Sequence, residues 1–531
     1  MSSRLTAAQV LQRIQELPSD ESGDDSSHES DNENVAVNMY DSSSSASSSD
    51  EEDIQGGPVG QVDGRDGTRW VPVDRHGAAG RAARQNVFTE RVGVTRYCAQ
   101  IITPVDAWRL LLDEGCIRHI ARCTIQYARE YQPEWNIHEA ELEKFIGLLY
   151  LRGAMNQRNY PLEQLWSKTM GCPAFGRTMP RDRMREIKKY LRFDDRQQRK
   201  HRLQTDKFYL ISWVLDRFVD NSQKAYKPGP SLTVDEQLFP TKARCRFTQY
   251  MPNKPDKFGI KFWVLADLES KYCYNMIPYL GKDEQRTENL GTHVVMQLME
   301  PLYNKGYNVT VDNFFTSKRL AELLLEKRTT ITGTMKANRR ELPPPKPMLL
   351  HETEFYQCDQ LNLTRYQAKA TKVVNVLSTQ HRGAARQPEG KKKPESILYY
   401  NKNKCGVDML DSMCRQMSTK AGCRRWPLAV FYNILDMAGV NAWILFCAKT
   451  GSKISRRKFM MQLSKELRQD TGSEAEPEPQ ALPVANPLEK RATCGIKVHC
   501  VKNKTVRVCK QCHKPVCGKC QAQVCVKCDE K

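Results

Sequence analysis

Four acids in three short motifs carry the chemistry this sequence offers. Asp235 sits in SLTVDEQLFP (231–240), where Leu232, Val234 and Leu238 alternate with Thr233, Asp235 and Gln237. That alternation predicts a strand. Strand interiors disfavour Asp. Asp235 and Glu236 therefore mark either an exposed edge strand or a carboxylate held rigidly by a sheet and aimed at a metal ion. Asp312 ends a second apolar run, YNVTVDNFF. Asp408 lies in GVDMLDSM at a helix start, with Asp411 three positions on and on the same face. Taken singly, each is ambiguous: a strand-end Asp is often a turn residue, and an Asp near a helix start is often a cap. Together they suit two divalent cations about 4 Å apart, which activate an attacking oxygen and stabilise the leaving oxygen of a phosphodiester. Mg²⁺ takes carboxylate oxygens and keeps several waters. Asp235, Asp312 and Asp408 are thus the expected ligands for Mg²⁺ or Mn²⁺.

The surrounding pattern says how these acids would meet. Residues 231–240, KFGIKFWVLADLES and KYCYNMIPYLG read as three strands, and TENLGTHVVMQLMEPLYNKG as a helix. YNVTVDNFFTS is a fourth strand, TSKRLAELLLEKR a helix and TTITGTMK a fifth strand. A three-strand meander followed by right-handed crossovers gives an α/β, RNase H-like core over 231–338. Such a core places acids on its first strand, near the end of its fourth, and on a later helix. A mostly β insertion, 339–398, precedes the last core helix, 399–417. Residues 87–230 and 418–470 carry helical spacing, as in VDAWRLLLDEGCIRHIARCTIQYAREY and RRWPLAVFYNILDMAGVNAWILFCAK. One basic helix face, Arg181, Arg183, Arg185, Lys188, Lys189 and Arg192, either meets phosphates or is simply solvated. Residues 1–86 are Ser-rich and acidic, then Gly-rich, and read as disordered followed by linker. Residues 471–490 are a second linker, and 491–531 a cysteine-rich tail.

Composition sets the context. The 531 residues have a net charge of +20. Residues 1–60 hold 2 Lys/Arg against 13 Asp/Glu, a net of −11, leaving +31 on the rest. A body that basic suits a polyanion, most naturally nucleic acid, the alternative being a Lys-rich soluble surface. No signal peptide or membrane-spanning run is read, so an intracellular site and no membrane partner are expected. Nineteen Cys there imply thiols or metal sites rather than disulfides.

Several ordered motifs resemble the piggyBac-type transposases. They are LTVDEQ (232–237), YMPNKPDKFGIK (250–261), PYLG (278–281), VDNFFTS (311–317), YYNKNKCGVDMLD (399–411) and RRWP (424–427). The resemblance spans roughly residues 100–531. It implies a catalytic triad of Asp235, Asp312 and Asp408, with Asp411 an additional essential acid. It also implies that Trp426 supports the DNA ends. The basic residues of the same motifs, Arg424, Arg425, Lys254 and Lys257, are expected to contact DNA. The family's reaction would follow: a nick exposes a 3′-hydroxyl, that hydroxyl forms a hairpin on the opposite strand, and the reopened end joins a TTAA target. The helical segments resemble the family's dimerisation and DNA-binding domain, implying a homodimer acting on double-stranded DNA in the nucleus. The alternatives are a host-adopted descendant that binds chromatin without cutting and, less favoured, a zinc-dependent adaptor of the RING type, whose cross-brace would not need the acidic core. Cys405 departs from the family, which usually has Gly before GVD, and is expected to cost conformational freedom.

The tail runs Cys494, Cys500, Cys509, Cys512, Cys517, Cys520, Cys525 and Cys528, ending in three CxxC pairs. Such pairs each bite one tetrahedral ion, so eight thiolates suit two Zn²⁺. The resemblance implies a cross-brace, with the first and third pairs on one ion and the second and fourth on the other. His499 and His513 remain possible substitutes for a thiolate. In the family such a domain reads the transposon ends.

Overall fold

The computed structural model describes residues 38–39, 60–73, 86–252, 254, 256–281, 288–381, 392–469, 492–494, 503–508 and 514–517. The chain divides into two compact units, 1–469 and 470–531.

The first unit is built on one mixed sheet. Its central strands are β1 (Ser231–Pro240), β2 (Thr248–Tyr250), β3 (Phe258–Asp267), β4 (Cys273–Pro278), β5 (Asn308–Val311) and β6 (Thr330–Met335). β1 pairs antiparallel with β3 from Leu232 opposite Asp267 to Pro240 opposite Gly259. On its other side it runs parallel to β5, with Val311 level with Val234. β5 runs parallel to β6. β2 and β4 share the far edge of β3. The order is therefore the expected meander followed by crossovers, with β2 added. β1 is not an edge strand. It is central, with Leu232, Thr233, Val234 and Leu238 all buried, because neighbours cover both of its edges and other elements cover its faces. Helices α1 (Leu290–Met299) and α2 (Lys318–Glu326) make the crossovers. Asn289 caps the first by accepting from the Thr292 N–H, and Ser317 caps the second by accepting from the Leu320 N–H.

The insertion adds β7 (Thr353–Cys358), β8 (Leu361–Lys369) and β9 (Lys372–Ser378). β9 pairs antiparallel with β6, so these strands continue the core sheet. Residues 60–73, read as linker from their glycine content, instead extend the sheet: Arg69–Pro72 pairs with β7. Trp70 is fully buried, and its indole N–H donates to the Glu341 carbonyl at 2.6 Å. One Trp thus outweighs the linker composition around it.

The last core helix divides in two, α3 (Glu395–Asn403) and α4 (Gly406–Gln416), with Cys405 as the N-cap of the second. The single helix expected from VDAWRLLLDEG onward also divides, into Pro104–Arg109 and Glu114–Ala128. Asp113 caps the second part through the Cys116 N–H, and Arg217 pairs with it at 2.6 Å. After α4 comes α5 (Trp426–Thr450), ended by Gly451 at φ 70°, a left-handed conformation that favours glycine. By length and composition α5 could cross a membrane, contrary to the reading of no such run, but 94% of its apolar window is buried inside the fold. A helix apolar all round is a core helix here. Helices from both helical segments pack together: the Tyr150 hydroxyl donates to the Leu435 carbonyl at 2.7 Å, and Ser464 donates to the Gly147 carbonyl at 2.7 Å.

In the second unit, Ala492–Thr493 pairs with Lys504–Thr505. Cys494 and Cys517 are buried. Asn503 borders both, its carbonyl accepting from the Cys494 N–H at 2.8 Å and its amide donating to the Cys517 sulfur at 3.4 Å. Cys500, Cys509, Cys512, Cys520, Cys525, Cys528, His499 and His513 lie outside the described residues.

Candidate active site

Because β1 and β5 are parallel and in register, Asp312, one residue beyond β5, falls level with Asp235. Helix α4 crosses this pair and brings Asp408. The three acids line one cavity of about 220 Å³, together with Thr233, Thr310, Tyr400, Lys404 and Cys405. α4 can approach so closely because Gly406 has no side chain: a Cβ there would stand 2.3 Å from the Thr233 Cγ2 and 2.8 Å from the Leu268 Cδ2. The glycine of GVD is therefore a packing requirement that sets the position of Asp408, two residues on.

The cavity is electrically unbalanced. Burial pushes the Asp235 carboxyl well above the usual range, and Glu236 and Asp312 push it further. Asp312 is also raised, by burial first and by Glu236, against the opposing Phe314 N–H and Lys261. Glu236 thus belongs to the site, although sequence reading noted it only as a neighbour of Asp235. Lys261 lies 3.8 Å over the Trp263 ring, a cation–π seat. Burial lowers its ammonium, against the pull of Glu236, Asp235 and Asp312. Lys254, from the loop between β2 and β3, stands 3.7 Å from the Glu236 Oε1 and 3.6 Å from the Asp408 Oδ1. Burial lowers Lys254, but the carboxylates of Glu236, Asp408, Asp235 and Asp411 more than reverse this, leaving it raised.

Hard carboxylate oxygens with an excess of negative charge fit a divalent cation. Asp408 is turned outward, with 60% of its side chain exposed. Among the described residues no three His, Cys, Asp or Glu side chains enclose a common point.

Asp411 does not line the cavity. One of its oxygens accepts from the Gln237 amide at 3.0 Å, the other from the Arg415 Nε at 2.7 Å. Asn433 donates to Gln237 at 2.9 Å, and Arg415 reaches the Leu238 carbonyl at 3.1 Å. This network ties α4 to β1 and α5. Asp411 shares a helix face with Asp408, but its carboxylate is occupied in positioning that helix.

The basic residues expected on DNA divide. Arg424 and Lys257 are exposed. Arg425 donates to the carbonyls of Leu191 and Lys188. Trp426 is half-buried against Phe208 at 5.3 Å and Phe247 at 5.0 Å. On the basic helix, Arg183 is paired with Glu141 and Glu186, and Arg185 with Glu163 and Asp182. Arg192 lies 3.5 Å over the Tyr127 ring. Much of this face is satisfied within the protein. Cys405 has φ −90°, a value any residue adopts, so it carries no backbone strain in place of glycine.

Known proteins share this architecture. The family model described as Transposase IS4 matches residues 103–443, well over half of the chain. The human PiggyBac transposable element-derived protein 2 is 24% identical over 375 residues, 65% of this chain and 62% of that protein. The human PiggyBac transposable element-derived protein 3 is 24% identical over 437 residues, 78% of this chain and 72% of that protein. The match thus spans less than two thirds of the first relative's length. A piggyBac transposase solved in a synaptic complex with hairpin DNA superimposes with a TM-score of 0.68 at 29% identity, covering 82% of this chain and all of the other. On these matches, the chain belongs to the piggyBac transposable element-derived family of IS4-type DDE transposases.

Proposed function

We propose that this chain is a cut-and-paste DNA transposase that cleaves transposon ends through hairpins and joins them at TTAA. The observation that carries this reading is the meeting of Asp235, Asp312 and Asp408 in one cavity. These acids would hold the family's divalent ions, Mg²⁺ or Mn²⁺, which when bound activate an attacking oxygen and stabilise a leaving one. The chain's own residues supply the rest. The sheet fixes Asp235 and Asp312 side by side. Gly406 and the Asp411–Arg415–Gln237 network set the approach of α4. Lys261, Lys404 and Lys254 give a phosphate backbone cationic partners beside the acids. Exposed Arg424 and Lys257 extend that basic surface.

The split helical region, 87–230 with 418–470, serves dimerisation and DNA binding in this reading, and the active form is a homodimer. The tail binds two structural Zn²⁺. The two buried cysteines assigned to the same ion, Cys494 and Cys517, both border Asn503, which supports that pairing. Metal analysis of the full chain should find about two zinc per chain. The site of action is the nucleus, which imaging of the tagged protein checks.

The experiment that tests the function uses the full chain and a duplex bearing the terminal repeat that flanks its own gene. With Mg²⁺ or Mn²⁺ the products should be a nick, then a hairpin on the transposon end. Tight binding with no cleavage by either metal would establish the alternative, a chromatin binder that has lost its chemistry.

A further inference from the structure

Of the two lysines that face the acids from β3 and the loop before it, one is placed differently from the other. Lys261 is fixed on the Trp263 face within β3. Lys254 instead rides on the loop between β2 and β3, closed by the Met251 N–H to the Lys257 carbonyl at 2.8 Å. Its ammonium stands between two carboxylates that belong to different elements, Glu236 on β1 and Asp408 on α4. Both separations, 3.7 and 3.6 Å, are longer than a direct hydrogen bond. The pairs are loose, and Asp408 is the exposed partner. Lys254 is therefore the bridge between the outward Asp408 and the inner acids.

We propose that Lys254 is a positioning residue that couples metal binding to DNA binding. Without DNA, its ammonium holds Asp408 toward Glu236 and repels a divalent cation from the space between Asp408 and the inner pair. A DNA phosphate competes for the same ammonium. Once Lys254 turns to phosphate, Asp408 is free to join Asp235 and Asp312, and the cationic repulsion is neutralised. DNA and metal then bind with positive linkage, and by reciprocity each tightens the other. A nuclease built this way assembles its metal site chiefly on substrate. The proposal rests on the metal-dependent reading of the cavity given above.

The test is Mn²⁺ affinity of the full-length protein, measured by electron paramagnetic resonance of free Mn²⁺, with and without duplex DNA. Two loose ion pairs set the scale: duplex should tighten Mn²⁺ binding to the wild type about tenfold, equivalent to roughly 1.4 kcal/mol. Lys254→Gln should bind Mn²⁺ about tenfold more tightly than wild type without DNA, and duplex should then add little. Lys254→Arg, which keeps the charge, should retain the linkage. Equal DNA-free affinities for wild type and Lys254→Gln would overturn the proposal, as would an undiminished response to duplex in Lys254→Gln. If neither protein binds Mn²⁺ with or without DNA, the metal-dependent reading itself fails and takes this inference with it. Circular dichroism of each variant confirms that the fold is kept.

Discussion

Gly406→Ala tests whether the position of Asp408 is set by packing. The new Cβ would stand 2.3 Å from the Thr233 Cγ2 and 2.8 Å from the Leu268 Cδ2. Carbon contacts settle at about 3.5–4.0 Å, so the first is short by well over 1 Å. Leu268 can swing its side-chain tip. Thr233 cannot, because it is β-branched, buried and locked in the central strand. α4 must therefore back away from β1. Two stability effects oppose each other. Ala is better than Gly by about 1 kcal/mol in a helix interior and by less at the first helical position, which Gly406 occupies, whereas overpacking a tight contact costs roughly 1–3 kcal/mol. The expected net loss is about 1 kcal/mol, visible as a small fall in Tm. Cleavage should suffer far more, because a misplacement of about 1 Å at reacting groups costs on the order of 10²-fold in rate. The assay is hairpin formation on end DNA under single-turnover conditions, with binding followed by gel shift. Binding should be unchanged. Thr233→Ser, which removes the clashing methyl, should restore much of the rate to Gly406→Ala. Full cleavage by Gly406→Ala alone, or no rescue by Thr233→Ser, would refute the reasoning.

Further outcomes are expected. Asp411→Asn should lower stability by roughly 1–2 kcal/mol through loss of the Arg415 ion pair, seen in denaturant unfolding, while DNA-free Mn²⁺ affinity stays within about twofold of wild type. A large loss of Mn²⁺ affinity would make Asp411 a ligand instead. Burial raises the Asp436 carboxyl to about 7, against hydrogen bonds from Ser418 and Thr419. The folded chain holds that proton more tightly than the unfolded one, whose Asp titrates near 3.9. Its contribution to stability is therefore full below about 4 and falls as pH rises to about 7. Asp436→Asn should remove that part of the pH slope in thermal melts. Cys405→Gly should leave cleavage within about twofold, since Cys405 sits at φ −90° and has no strain to relieve.

The strands carrying Asp235 and Asp312 were legible because apolar alternation and short apolar runs are local signals. So were both crossover helices and the strands between β6 and α3. What escaped depends on distant partners. Lys254 meets Glu236 and Asp408 only when the loop after β2 folds over β1, and nothing in the local spacing encodes that. Asp411 sits on the same helix face as Asp408, yet Arg415 and Gln237 draw it away, a choice made by groups on the same helix and on β1. The linker-like residues 60–73 join the sheet because Trp70 finds a buried slot beside Glu341. The long apolar run before Asp113 hid a helix break, since the cap's partner, Arg217, lies far along the chain. The glycine of GVD could be noticed, but its reason, the Thr233 methyl, appears only when α4 meets β1.

The most direct test of the central claim compares wild type with Asp235→Asn, Asp312→Asn, Asp408→Asn and the triple variant on one end duplex. Each substitution keeps the shape and removes the charge that would hold the ions. Groups acting as one unit are strongly non-additive, so each single variant should lose nearly as much cleavage as the triple. All should still shift the duplex on a gel, because binding rests on basic contacts to phosphate and weakens steeply with salt. Hairpin formation by wild type, absent from every variant at equal binding, is the predicted result. Undiminished cleavage by any single variant would contradict the account.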